Sequence, residues 1–251
     1  MLGLFFTFVH QPLYNLLIAL VYVMPHHDMG FAILAITILI RAALHPFSIG
    51  AFRSQRLMQR LQPQLSELKK KFKDDKQGLT QATMALYKDN KISPFSSCLP
   101  LLLQLPILIG LYQVLRLGLE SIDTAQLYSF VPHIAQISPI AFGFLHLNDR
   151  SIVLAVLAGA TQFLQTRMLQ TPKPAVHSEG SKDEEMAQMM NKQMMYVMPV
   201  VTVIIGLKLP AGIGLYWFFG TLLTVAQQWY IFRQLDREHA EKQNLIPEKN
   251  N

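Results

Sequence analysis

The sequence has few charged residues, a single cysteine and no basic residue ahead of position 41. Because Cys98 is alone, neither an intramolecular disulfide nor a cysteine-rich metal site can form. Charged residues make up 15% of the chain and hydrophobic residues 51%, which excludes an intrinsically disordered protein. The mean hydropathy is +0.26, and the charges are confined to a few segments. The apolar runs between these segments are too long for a globular core.

Five apolar runs are long enough, or nearly so, to cross the hydrocarbon core of a bilayer, which takes about 20 residues. The fourth run is the shortest, and the sequence Lys208-Leu209-Pro210-Ala211-Gly212 after it is typical of a tight turn, which pairs the last two runs as a hairpin. The sequence therefore predicts an all-α polytopic membrane protein. Its five predicted spans are residues 29–50, 95–117, 151–168, 194–209 and 211–232.

The basic residues are unevenly distributed, and this bias predicts the orientation of the chain. Of the 22 Lys and Arg residues, 18 lie in residues 51–94, 167–193 and 233–251. We therefore predict that the N-terminus lies outside and the C-terminus in the cytoplasm or its equivalent compartment. The connecting segments are then an outer loop at 118–150, a cytoplasmic loop at 169–193 and a cytoplasmic tail at 233–251.

Residues 1–28 lack the basic region and the small-residue cleavage site of a secretory signal. An apolar face at helical spacing predicts an amphipathic helix that lies in the outer membrane–water interface. A sixth span is the alternative, and it would require a cytoplasmic N-terminus without basic residues. The predicted apolar face consists of Leu13, Leu16, Leu17, Leu20, Val23 and Met24.

Residues 51–94 are polar and too numerous for a simple turn. A narrow apolar stripe at helical spacing runs from Leu57 to Phe72 and resumes at Leu79, which predicts a cytoplasmic antiparallel helical hairpin whose first helix starts at Pro63. A basic stripe at the base of this hairpin would attract anionic lipid headgroups, by about 1 kcal/mol per charge. Contact with ribosomal RNA or a targeting factor is the alternative, although no nucleic-acid-binding motif is present. The stripe consists of Arg53, Arg56 and Arg60.

Arg41 is the only charge in the middle of a predicted span. A charge at bilayer depth is unfavourable by about 2.5–3.5 kcal/mol on insertion scales, so that it normally faces protein or water and marks a functional site. Arg41 lies about nine residues from the cytoplasmic end of its span, which corresponds to a depth of about 13 Å. Thr37 and His45 share its helix face.

Polar side chains recur in the cytoplasmic halves of the predicted spans, whereas the outer halves are apolar. No Asp or Glu lies in the spans to neutralise Arg41. We therefore predict a hydrated groove that is open to the cytoplasm and closed toward the exterior. In the alternative, Arg41 binds helix carbonyls and a lipid phosphate, and the glutamines bond between helices. The predicted groove residues are Thr37, Arg41, Gln104, Gln162, Thr221, Thr224 and Gln227.

Five stretches, taken in chain order, resemble the YidC/Oxa/Alb family of membrane protein insertases. They are Pro12-Leu13-Tyr14, Thr37-Ile38-Leu39-Ile40-Arg41 with Pro46, Pro100-Leu101-Leu102-Leu103-Gln104-Leu105-Pro106, Met195-Tyr196-Val197-Met198-Pro199, and Leu215-Tyr216-Trp217 through Gln227-Gln228. The resemblance implies a five-span core, a cytoplasmic hairpin and a groove open to the cytoplasm and the lipid. In that groove, Arg41 would be the positive residue and Thr37 a substrate contact. A further contact in the last span would be either Tyr216 or Trp217.

The resemblance also implies the function, which is insertion and chaperoning of nascent membrane proteins in the bilayer of a bacterial plasma (inner) membrane rather than an organelle. No cofactor, metal or catalytic residue is expected, and the Sec translocon, the ribosome and the signal recognition particle are possible partners. The chain lacks the large exported domain, lipoprotein cysteine and long basic tail of the long proteobacterial forms. These differences argue against ribosome tethering through the tail.

Three other functions are compatible with parts of the sequence. A small-solute anion transporter or channel would use Arg41 as a binding site, but it needs a pathway to both faces and the outer halves of the spans are apolar. An intramembrane enzyme would need a nucleophile–base pair or a metal site, and no such motif spacing occurs. A purely structural assembly factor would use the same surfaces as an insertase.

Overall fold

The computed structural model of the chain is predominantly helical, and it describes residues 2–73, 75–92, 99–120, 124–134, 137–169 and 182–244. The α-helices are α1 (Leu2–Phe5), α2 (Gln11–Val23), α3 (Met29–Ala43), α4 (His45–Arg60), α5 (Gln62–Lys71), α6 (Lys76–Asp89), α7 (Leu99–Glu120), α8 (Ile152–Met168), α9 (Lys182–Gly206) and α10 (Ala211–Asn244). Strands β1 (Ile140–Ala141) and β2 (Leu145–His146) form an antiparallel hairpin. Parts of the predicted hairpin, second span, loops and tail lie outside the described residues, at 93–98, 121–123, 135–136, 170–181 and 245–251.

Residues 2–23 are helical throughout, because the five-residue π-helix Phe6–His10 joins α1 to α2. This segment contacts α3 and α7, but not with the whole of the predicted face. Leu16 and Val23, which belong to that face, are 37% and 74% exposed. Leu17 of the predicted face is buried, and the other buried residues of the segment are His10, Tyr14, Asn15, Ile18 and Val21.

Asn15 explains this rotation of α2. Its side-chain amide donates hydrogen bonds to the carbonyl oxygens of Gln11 and Gln126, both at 2.9 Å. Its side-chain oxygen accepts a hydrogen bond of 2.6 Å from the backbone N–H of Tyr128. A buried polar side chain is tolerated when its hydrogen bonds are made, so that Asn15 faces inward where hydrophobic periodicity alone would place it outside.

The predicted span 29–50 is not one helix. α3 ends at Ala43, α4 begins at His45, and the two helices are bent by 65°. Pro46 lies in the first turn of α4, where it has no N–H to donate to the carbonyl of Ala42, and its ring would clash with that carbonyl in a continuous helix. Arg41 therefore lies in the last turn of α3, directly before the break, and not in the middle of an unbroken helix.

Among the described residues, one helical segment, Gly3–Val23, is long and apolar enough to cross a membrane, and the bent pair of α3 and α4 meets the same criterion jointly. Both the interfacial and the spanning arrangement of residues 1–28 are compatible with this length. The shorter apolar helical segments are Gln104–Leu115, Ile152–Met168 and Met195–Gly206.

The segment around the β-hairpin holds the beginnings of α3 and α10 together. Asp28 caps α3 by accepting a hydrogen bond of 2.7 Å from the N–H of Gly30, and its second carboxylate oxygen accepts one of 2.6 Å from the N–H of Phe142. The backbone N–H of Ala211, the first residue of α10, donates to the carbonyl oxygen of Asp149 at 2.7 Å. The spacing between α3 and α10 is thus fixed at this end.

The main core lies where α2, α3, α7 and the start of α10 meet. α9 packs against α8 at very short range, since a Cβ atom on Gly159 of α8 would lie 2.4 Å from Cγ2 of Val203. Much of the remaining surface of α9 is exposed in the described chain, and it includes Tyr196, whose ring centroid lies 6.1 Å from that of Phe163 on α8. Its exposed apolar residues are Tyr196, Val197, Met198, Val200, Val201, Ile204 and Ile205.

α5 and α6 follow α4 and contact each other. Pro63 lies in the first turn of α5, as expected for a residue that fits the start of a helix. Asp75 caps α6 by accepting a hydrogen bond of 2.8 Å from the N–H of Gly78. This pair of helices is connected to the rest of the described chain through α4.

We expect Asp28→Ala to lower the thermal stability of the protein, because α3 loses its N-cap and the N–H of Phe142 loses its acceptor. The loss of free energy of unfolding should be about 1–2 kcal/mol, measured by thermal unfolding in detergent. Asp149→Ala is the control, since only the backbone of this exposed residue bonds to α10. Equal unfolding temperatures for the two variants would contradict the role of Asp28.

Candidate functional site

Arg41, in the last turn of α3, lies against α10 at Gly220. A Cβ atom on Gly220 would be 3.5 Å from Nη2 of Arg41 and 3.6 Å from Cγ2 of Thr37. Alanine would fit at these distances, but a longer side chain would enter the space that the guanidinium occupies. The sequence-based prediction includes Arg41 and Thr37 but misses Gly220, although a glycine one turn after Tyr216, in a helix rich in phenylalanine, was a signal.

Tyr216 connects α10 to α7. The side-chain amide of Gln104 donates a hydrogen bond of 2.6 Å to the Tyr216 hydroxyl oxygen, and Tyr216 is 3% exposed. On α10, Tyr216 lies one turn before Gly220, the residue that faces Arg41 and Thr37. Thr37, Arg41, Gln104 and Tyr216 thus bring α3, α7 and α10 together, and we call these four residues the polar cluster. Trp217 is half-buried and contributes no hydrogen bond to the cluster within the described chain.

Arg41 has no carboxylate partner among the described residues. The ion pairs in that part of the chain are those of Asp236 with Arg56 and Arg60. Arg41 is half-buried, so that part of its side chain is removed from water while its charge is not neutralised. A charge in this state is open to interaction with an anionic group. The described residues contain no group of three or more His, Cys, Asp or Glu side chains arranged to hold a metal ion.

Two of the three predicted groove threonines, Thr37 and Thr224, bond to their own helices. Thr37 is 1% exposed, and its hydroxyl donates a hydrogen bond of 2.5 Å to the carbonyl oxygen of Ile33. Thr224 donates in the same way to the carbonyl oxygen of Gly220, at 2.8 Å, and Thr221 is 6% exposed. These bonds satisfy the hydroxyl groups inside an apolar bundle. In this state the Thr37 side chain is not accessible to a passing polypeptide.

The two predicted glutamines outside the cluster lie elsewhere. Gln227 is two turns beyond Gly220 on α10, about 10 Å along the helix, and its amide nitrogen lies 2.6 Å from Nδ1 of His45 at the start of α4. Gln162 is half-buried on α8, and within the described chain its side chain makes no hydrogen bond to the polar cluster. The predicted groove set is therefore only partly assembled around Arg41.

Two members of the predicted basic stripe are held by the last helix. Nη2 of Arg56 lies 2.6 Å from Oδ2 of Asp236, and Nη2 of Arg60 lies 2.9 Å from Oδ1 of the same carboxylate. Arg53 is exposed and makes no ion pair in the described chain. The stripe is thus not a free basic surface, since only Arg53 keeps its charge unpaired. Sequence reasoning missed Asp236 because the pairing crosses 180 residues.

These contacts attach α4 to both α10 and α8. The side-chain amide of Gln59 donates a hydrogen bond of 3.0 Å to the carbonyl oxygen of Met168, the last residue of α8. The guanidinium of Arg56 beside Asp236 holds the pKa of that carboxyl below its ordinary value, and Arg60 acts in the same direction. The carboxylate is therefore ionised at neutral pH. We call the contacts of Arg56, Gln59 and Arg60 with Asp236 and Met168 the α4 clip.

Comparison with known proteins gives a consistent result. The sequence profile of the family described as "60Kd inner membrane protein" matches residues 20–238. A protein of Fusobacterium nucleatum named membrane protein insertase YidC is 36% identical over 207 residues, which are 82% of this chain and 87% of that protein.

Longer relatives carry the same name. The protein of Methylobacillus flagellatus is 36% identical over 236 residues, which are 94% of this chain, and that of Pseudomonas entomophila is 34% identical over 232 residues, which are 92% of this chain. The matched region covers only 38% and 36% of these two proteins. The chain therefore spans little more than a third of the length of these relatives.

We expect Asp236→Asn to loosen the base of α4, because Arg56 and Arg60 lose their shared carboxylate. All three side chains are partly exposed, so the loss of stability should be no more than about 1 kcal/mol. Amide hydrogen exchange in residues 52–60 should become faster. Glu238→Gln removes an exposed acidic group that has no ion pair in the described chain, and it should leave the exchange unchanged.

Acidification should act in the same way as the Asp236→Asn substitution. Because the pKa of Asp236 is lowered from 3.8, its contribution is fully present above that value and is lost as the pH falls through the lowered pKa. A nitroxide at position 57, attached to Leu57→Cys in a Cys98→Ser background, should gain mobility only in this acidic range. If amide hydrogen exchange in residues 52–60 were equally slow in the Asp236→Asn variant and in the unaltered protein, the α4 clip would be refuted.

Proposed function

The chain belongs to the family of the 60Kd inner membrane protein, and we propose that it is a membrane protein insertase and chaperone. The match over residues 20–238 and the identity to relatives named YidC confirm the family resemblance that its motifs predict. The names of those relatives support the insertase function. Because the longer relatives extend well beyond the matched region, activity, substrates and partners are proposed from the residues of this chain.

In the proposed topology, the chain crosses a bacterial inner membrane five times, with the N-terminus outside and the C-terminus in the cytoplasm. α3 with the first turns of α4, α7, α8, α9 and the first part of α10 would be the spans. α5 and α6 would form the cytoplasmic hairpin, and residues 1–28 would lie in the outer interface. The concentration of Lys and Arg in residues 51–94, 167–193 and 233–251 supports this orientation.

The observation that carries the proposal is the unneutralised charge of Arg41 at the junction of three helices. Gly220 leaves the guanidinium unobstructed on the α10 side, and Tyr216 with Gln104 gives it a polar environment. We propose that water from the cytoplasm reaches this cluster and that the cluster forms one end of a substrate groove. Thr221, Thr224, Gln162 and Gln227 would line the groove if its helices separated further than they do in this structure.

Arg41 would attract an acidic residue in a short hydrophilic segment of the substrate. Moving such a residue toward the bilayer centre costs about 2.5–3.5 kcal/mol. Two opposite charges 4 Å apart interact by about 4 kcal/mol at an effective dielectric constant near 20. These magnitudes are similar, so that one arginine offsets the cost of about one acidic residue and of no more.

The driving force for insertion would be burial of the substrate's apolar helix in lipid, at about 25 cal/mol per Å². Two exposed apolar faces support a path for this helix. One consists of the exposed apolar residues of α9 between Tyr196 and Ile205. The other lies on α7 and includes Leu105 and Ile109. No nucleotide hydrolysis is needed in this mechanism. The lipid bilayer and nascent membrane proteins are the proposed partners, with the Sec translocon, the ribosome and the signal recognition particle as further candidates.

We expect Arg41→Ala to reduce insertion of substrates with an acidic translocated segment by about tenfold or more, which corresponds to about 1.4 kcal/mol. Neutral segments should be affected much less, and Arg41→Lys should retain most activity because it keeps the charge. The measurement is protease protection of substrates translated in the presence of proteoliposomes that contain the full chain. Arg53→Ala removes an exposed arginine outside the cluster and serves as the control.

Equal losses for acidic and neutral segments would rule out the electrostatic role of Arg41. The same proteoliposomes can be tested for uptake of small anions. If Arg41→Ala abolished such uptake while insertion was unchanged, the chain would be an anion transporter instead of an insertase.

We expect position 220 to tolerate alanine but not leucine. A Cβ atom there makes ordinary contacts of 3.5 and 3.6 Å, and alanine favours the helix by about 1 kcal/mol over glycine. Leucine would extend into the space of the Arg41 guanidinium, so that Gly220→Leu should insert acidic substrates as poorly as Arg41→Ala. Thermal unfolding of both variants separates this effect from misfolding. A fully active and stable Gly220→Leu protein would contradict the arrangement.

A further inference from the structure

The surface of α10 changes from apolar to charged within one turn. Trp229 and Tyr230 are 54% and 64% exposed, and the next exposed residues along the helix are Arg233 and Gln234. Exposed aromatic residues followed directly by basic residues are typical of the boundary between lipid hydrocarbon and headgroups. In the topology proposed above, this boundary belongs to the cytoplasmic leaflet.

A cleft of about 520 Å³ opens at this level between α10 and the end of α8. Its larger apolar lining residues are Met168, Trp229 and Phe232, its charged lining residues are Arg233, Asp236 and Arg237, and Ala240 lies at its far end. Positions 229, 233 and 237 are spaced by four residues, so that they follow one another along a single face of the helix. The cleft thus has an apolar half nearer the membrane and a basic half farther from it.

The acidic residue in the cleft does not neutralise these two arginines. The Asp236 carboxylate is bound by Arg56 and Arg60 of the α4 clip, at 2.6 and 2.9 Å. Neither Arg233 nor Arg237 makes an ion pair within the described chain. Two guanidinium groups are therefore available to an anionic ligand.

Trp229 orients one of these groups. The guanidinium carbon of Arg233 lies 5.2 Å from the centroid of the Trp229 ring, within the range of a cation–π contact. A cation–π contact of this kind uses none of the hydrogen-bonding capacity of the guanidinium, so that its N–H groups remain able to donate to a ligand. This geometry suits two hydrogen bonds to a phosphate. Arg237, one turn further, would approach the same phosphate from the other side.

We infer that this cleft binds the phosphodiester headgroup of an anionic glycerophospholipid from the cytoplasmic leaflet. The phosphate lies between Arg233 and Arg237, and an acyl chain runs along Met168, Phe232 and Trp229. A free phosphate ion or an RNA backbone would fill the basic half alone, whereas a lipid fills both halves. This inference depends on the proposed orientation of α10 and not on insertase activity.

The test uses Trp229 as a probe inside the cleft. The chain has two tryptophans, so that Trp217→Phe leaves Trp229 as the only source of tryptophan fluorescence. The full chain is placed in phosphatidylcholine nanodiscs with a few mole per cent of phosphatidylglycerol brominated on its acyl chains. The same fraction of brominated phosphatidylcholine provides the comparison. Phosphatidylglycerol should be enriched at Trp229 by about fivefold or more, the factor that one basic residue gives near an anionic surface.

Arg233→Gln with Arg237→Gln should abolish the preference for phosphatidylglycerol, and Arg233→Lys with Arg237→Lys should retain a weaker preference. Lys69→Gln with Lys70→Gln removes the same charge from exposed positions on α5 and should leave the preference unchanged. Equal quenching by the two lipids would overturn the inference, as would a preference that survives the double glutamine variant.

Two further results would assign the cleft to another ligand. If inorganic phosphate relieved the quenching and chloride of equal ionic strength did not, the cleft would be a free-anion site and the lipid assignment would be wrong. The assignment would also be wrong if single-stranded RNA bound in a manner that required both arginines while no lipid preference was seen. Because no readout depends on insertion, a failed insertion assay together with a clear lipid preference would reject the proposed function and support the lipid site.

Discussion

Arg41 has no carboxylate partner in the part of the chain that the structure describes, and this positive charge among apolar helices constrains the residues that surround it. Burying an ion against hydrocarbon is unfavourable, so that the position opposite Arg41 on α10 is a glycine and the adjacent polar groups are an amide and a phenol. The helices α3, α7 and α10 approach one another around these groups. In the proposed function, this is the point at which the groove would open.

The polar cluster lies between two places where α10 is tied to other elements. At one end, Asp28 and the backbone of Asp149 hold the starts of α3 and α10 through the segment that contains the β-hairpin. At the other end, Asp236 holds α10 to α4. The middle of α10, with Gly220 and Tyr216, depends on fewer polar contacts. Because the polar contacts of α10 are concentrated at its two ends, the site in its middle could change shape while the bundle remains assembled.

Local chemistry was readable from the sequence, and long-range pairing was not. Arg41 was evident because a charge interrupts an apolar run, and helix existence followed from composition. Pro46 was a sequence signal for the helix break at Leu44, but the long apolar run around it favoured the prediction of one continuous helix. The inward turn of Asn15 depends on partners more than 100 residues away, and Asp236 is 180 residues from Arg56. No periodicity encodes such partners, which is why the groove set and the basic stripe were each predicted only in part.

The α4 clip has a mechanical consequence for the hairpin. α4 is joined to α3 at Leu44, to α10 at Asp236 and to α8 at Met168. α4 is thus held at its start and near its end, so that a swing of α5 and α6 would start at Leu61, the one residue between α4 and α5. α5 is about 15 Å long, and a bend of about 20° there would move its far end by about 5 Å. The far end of α5 would thus move while Arg41 stays in place.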